Sequence, residues 1–84
     1  MKQCVITFRS VTPAQRGKEI LFRQGMDSVL QRTPRWMEQK GCGYCLRVDC
    51  GRLSEAVETL RSSGILYRKV YRCPNQDDVE ELDL

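Results

Sequence analysis

The residues best suited to chemistry are Gly41-Cys42-Gly43-Tyr44-Cys45, a CxxC spacing whose first cysteine lies between two glycines. Glycine adds no side chain, so the backbone around Cys42 can approach a ligand closely and leave the sulfur exposed. The thiolate is the reactive form of cysteine, and neighbouring cations lower the thiol pKa from about 8.5 by one unit or more. Arg35 and Lys40 lie upstream of Cys42 in the same stretch and could stabilise a thiolate or an anionic adduct on its sulfur. The plainer reading of both is a solvated surface charge, and that of Trp36 is a core or interface residue.

A CxxC has three readings. As a dithiol redox pair it usually opens a helix, where the dipole lowers the thiol pKa, yet here it sits where a loop leads into a strand. Residues three apart in a strand face opposite sides, so a Cys42 to Cys45 disulfide would need Cys42 in the turn. As a metal knuckle it would need Cys50 and Cys73 to complete a set of four thiolates with Cys42 and Cys45, and the second CxxC is missing. In the third reading Cys4, Cys45, Cys50 and Cys73 are small apolar residues, whereas a cysteine between glycines packs poorly as core. The absence of histidine removes the Cys/His nucleophile pair and every Cys/His zinc pattern. Nothing calls for a cofactor, and catalysis would need groups other than an imidazole.

These residues must be positioned by one small domain, since 84 residues allow a single modest core. Five cysteines are too few for a disulfide scaffold, and their odd number leaves at least one without an intramolecular partner. Together with a start that lacks an apolar leader and the lack of any membrane-length apolar run, this predicts a cytoplasmic protein with reduced thiols. The net charge of +3 is uneven, because Asp77, Asp78, Glu80, Glu81 and Asp83 stand together near the C-terminus. Without them fourteen bases face six acids, so the body carries about +8 and suits an anionic partner or cover by its own acidic segment.

The periodicities predict βαββαβ. Cys4 to Phe8 reads as a strand. Thr12, Pro13 and Gln15 open a helix that runs to about Gln24, with Ala14, Gly17, Ile20 and Leu21 on its apolar stripe and Gly25 as its stop. Gly17 costs about 1 kcal/mol against alanine in a helix, which a close helix-to-sheet contact would explain. Ser28 to Gln31 is a weak strand ended by Pro34, and 36–43 is a loop with room for a helical turn. Tyr44 to Asp49 alternates like a strand with one buried face. Glu55 to Ser62 is a second helix with Leu53, Ala56, Val57 and Leu60 on one face and Gly64 as its stop, and Tyr67 to Arg72 is the last strand. The fold is therefore α+β and ferredoxin-like: two helices on one face of a four-stranded antiparallel sheet over residues 1–73, followed by a flexible acidic tail over 74–84. The other sheet face is expected to be open, displaying arginines and tyrosines, or to pair with a partner. That display is the second functional reading: a non-catalytic binding or regulatory module using a basic sheet face or a dimer interface. No segment matches the glycine-and-aromatic motif of RNA-binding sheets, which places nucleic acid well behind it.

The ordered combination resembles the Se/S carrier protein-like family across residues 4–72. It comprises Val5-Ile6-Thr7-Phe8-Arg9-Ser10, then Thr12, Ala14 and Glu19, then Thr33-Pro34-Arg35, then Gly41-Cys42-Gly43 leading into Leu46-Arg47-Val48, and a closing strand with tyrosines. The resemblance implies that Cys42 carries sulfur or selenium as a persulfide or selenopersulfide, with Arg35 matching the family's Pro-Arg. It also implies donor and acceptor proteins as partners. Cys45, Cys50 and Cys73 depart from the family pattern, and Cys45 brings a resolving thiol within reach.

Overall fold

The computed structural model describes residues 3–32, 43–73 and 80–82. Its elements are β1 (Gln3–Phe8), α1 (Val11–Arg23), β2 (Val29–Arg32), β3 (Tyr44–Asp49), a 3-10 turn over Cys50–Arg52, α2 (Leu53–Ser62), β4 (Val70–Cys73) and β5 (Glu80–Leu82). The first four strands pair antiparallel in the order β2-β3-β1-β4, with two helices between them in chain order, which is the ferredoxin-like plan. β5 adds a fifth strand, antiparallel to β4. The acidic segment expected as a flexible tail thus contributes Glu80–Leu82 to the sheet, because β4 is otherwise an edge with unpaired backbone groups.

The helices form where the apolar spacing placed them, and their ends follow backbone chemistry. α1 buries Ala14, Gly17 and Leu21. Its N-cap is Ser10 rather than Thr12, and no side chain caps it. Pro13 is tolerated anywhere in the first turn, whose N–H groups lack intrahelical acceptors, so the helix can begin before it. Both helices end in a Schellman turn. Gly25 and Gly64 take φ of 78° and 73°. Met26 N–H donates to the Leu21 carbonyl at 2.9 Å, and Ile65 N–H donates to the Leu60 carbonyl at 3.0 Å. The four residues so linked are all buried, which locks each helix end to the core.

The core lies between the helices and the sheet. Cys4, Ile6, Phe8, Leu46, Val48 and Val70 face Leu21, Ala56, Val57 and Leu60. A Cβ on Gly17 would come within 3.1 Å of Leu60 and 3.3 Å of Leu46, so glycine is what lets α1 approach α2 and the sheet this closely. The middle of the opposite sheet face is not open, contrary to expectation. Val5, Thr7 and Cys45 point away from the helices by strand alternation and are nevertheless fully buried, while Arg47 and Tyr71 on that side are half-buried.

Two further features differ from the sequence reading. Cys4 and Cys50 form a disulfide with a Cα–Cα distance of 5.1 Å, so they are not simply small apolar residues. Cys4 pairs with Val48 across the sheet, and the turn two residues beyond Val48 brings Cys50 back over the same face, within disulfide reach. In addition, β4 begins three residues later than expected. Arg68 N–H donates to the Thr7 carbonyl at 2.7 Å, while Thr7 N–H donates to the Lys69 carbonyl at 2.8 Å. Lys69 N–H in turn donates to Thr7 Oγ1 at 3.0 Å. Two residues thereby oppose one, a bulge that breaks the alternation and turns Tyr67 onto the helix-side core.

Candidate functional site

One end of the sheet gathers what chemistry the described residues show. Arg32, Tyr44 and Phe8 form its terminal row, since Tyr44 pairs with both Arg32 and Phe8. The connection over 33–43 therefore leaves and rejoins the sheet at neighbouring positions. Gly43, at its return, is buried directly before β3. Arg35, Trp36, Lys40, Gly41 and Cys42 lie outside the described residues. Cys45, the second cysteine of the CxxC, is a fully buried thiol on the face turned away from the helices. The four-thiolate alternative of Cys42, Cys45, Cys50 and Cys73 is corrected, because Cys50 is committed to Cys4. Among the described residues no group of three His, Cys, Asp or Glu could hold a metal ion.

The same end holds a groove that sequence reasoning missed. Only Arg9 and Ser10 separate β1 from α1, so the first turns of α1 stand directly over the end of β1. The segment Gly64 to Arg68 approaches from the other side, held by the Thr7 bonds. Between them lies a half-open groove of about 560 Å³, lined by Arg9, Arg16 and Arg68 together with Pro13, Leu66 and Tyr67. Leu66 is 85% exposed, and all three arginines are exposed. Neither Arg9 nor Arg16 is ion-paired to a carboxylate among the described residues. Elsewhere among the described residues Arg23 pairs with Glu19, Arg52 pairs with Glu55, and Arg47 donates to Gln3. The signal for the groove in the sequence was the short Arg9-Ser10 connection between strand and helix, with Arg16 in the helix's second turn.

No helix among the described residues is long and apolar enough to cross a membrane. No curated protein and no solved structure matches the chain. The pattern of the family described as "Putative Se/S carrier protein-like" matches residues 3–72, which include both helices, the strands β1 to β3, most of β4 and the whole of Gly41-Cys42-Gly43. The chain belongs to this Se/S carrier protein-like family.

Proposed function

We propose that the protein carries sulfur or selenium on Cys42, as a persulfide or selenopersulfide, and passes it to a partner protein. The observation that carries this reading is the family membership over residues 3–72, which spans a glycine-flanked cysteine suited to an exposed nucleophilic sulfur.

The chemistry needs no cofactor and no outside oxidant. The Cys42 thiolate attacks the terminal sulfur of a donor persulfide, R–S–SH. A bond forms between Cys42 Sγ and that sulfur, the donor S–S bond breaks, and its electron pair leaves on R–S⁻. A partner's thiolate then attacks the terminal sulfur, and Cys42 leaves as thiolate. Selenium follows the same balance. The bound species is anionic, and Arg35 is assigned to stabilise that charge, with Lys40 in support. Cys45 is assigned as a resolving thiol. Its attack on Cys42 Sγ would expel HS⁻ and leave a Cys42–Cys45 disulfide; Cys45 is fully buried in β3, so this step requires Cys42 to lie in the turn that leads into the strand.

A Cys42→Ser variant incubated with a persulfide donor should take up no sulfur while keeping the wild-type fold by circular dichroism. Uptake equal to wild type would contradict the assignment.

A further inference from the structure

We propose that the groove beside the end of β1 docks an acidic, leucine-containing segment of the protein that exchanges the chalcogen with Cys42; this role rests on the carrier reading above. Position is the first argument. The groove opens at the sheet end where the 33–43 connection joins β2 and β3. β3 and β4 flank β1 on either side, so the Tyr44 row and the Arg68 rim stand two strand spacings apart, roughly 10 Å. A partner seated in the groove thus lies about that far from Tyr44, where the connection rejoins the sheet one residue after Gly43.

Charge and shape are the second argument. Arg9, Arg16 and Arg68 come from the end of β1, the second turn of α1 and the approach to β4, and no acidic residue is among the described residues lining the groove. A compact oxoanion site gathers donors into one buried point, whereas these three arginines are exposed residues contributed by three separate segments. The same groove is lined by Pro13 and the 85% exposed Leu66. An extended segment that places leucines against this apolar floor and carboxylates against the arginines satisfies both features.

The test uses the full-length, nitrogen-15-labelled Cys42→Ser chain titrated with an acetylated and amidated peptide, Asp-Leu-Glu-Asp-Leu-Glu, and with its counterpart bearing lysine for every acid. The acidic peptide should shift the amides of Arg9, Ser10, Thr12 and Leu66 saturably, more weakly as salt is raised, and the lysine peptide should not. Arg9→Glu combined with Arg16→Glu should weaken binding about tenfold or more. Absence of saturable shifts, shifts confined to another face, or displacement of the peptide by equimolar inorganic phosphate or by a short single-stranded RNA would overturn the proposal. Because the Cys42→Ser chain is tested for binding alone, the two readings fail separately. Sulfur uptake by wild type without peptide binding overturns the groove, and peptide binding by a chain that takes up no sulfur overturns the exchange role through the carrier reading.

Discussion

At the scale of single residues, Cys42 and Cys45 share a CxxC but have opposite demands placed on them. A carrier sulfur must be reached by other proteins, whereas Cys45 is shut inside the sheet face away from the helices. The two should therefore separate experimentally. Near neutral pH Cys42 should alkylate with iodoacetamide much faster than a model thiol, and Cys45 only on unfolding. Cys45→Ala should still load sulfur on Cys42 and should hold it longer, because the internal route to HS⁻ is gone; faster loss of sulfur in that variant would exclude the resolving role. The CxxC itself was legible in the sequence, but the Cys4–Cys50 bond was not. Their separation in sequence is 46 residues, and only the antiparallel register of β1 and β3 brings them to one face.

Among the elements, those with strong local signals were legible and those set by long-range pairing were not. Tyr44–Asp49 alternates cleanly and forms over the expected residues, and glycines stop both helices as expected. The start of β4 was misplaced because Thr7, more than sixty residues away in sequence, sets the bulge at Arg68 and Lys69. β5 was missed because its short acidic sequence has little strand propensity of its own and gains its backbone bonds only from β4. The tight packing at Gly17 gives a prediction at this scale. Gly17→Ala gains about 1 kcal/mol in helix propensity but forces a methyl against Leu60 and Leu46 at overpacking costs of about 1–3 kcal/mol. The net result should be destabilisation by about 1 kcal/mol in urea unfolding, and a stabilised variant would show that the helix can move off the sheet.

For the whole molecule, one disulfide ties the first strand to the turn after the third. Closing a loop of this size stabilises a domain by about 3–4 kcal/mol, so reductant or Cys50→Ser should lower the melting temperature by more than about 10 °C. An unchanged melting curve would mean that the core alone sets stability. The sheet also brings part of the acidic segment onto the basic body, since Glu80 and Glu81 pair with Arg72 and Tyr71 in backbone register. The end of the sheet that carries the 33–43 connection exposes Arg9 and Arg16 beside a groove that Arg68 also lines, which gives the molecule one face suited to an acidic partner. The most direct test of the account is intact-mass spectrometry of the protein without reductant after incubation with a persulfide donor, followed by peptide mapping. The account predicts a gain of one sulfur atom on the peptide holding Cys42, lost in Cys42→Ser. No gain, or a gain mapped to another cysteine, would contradict it.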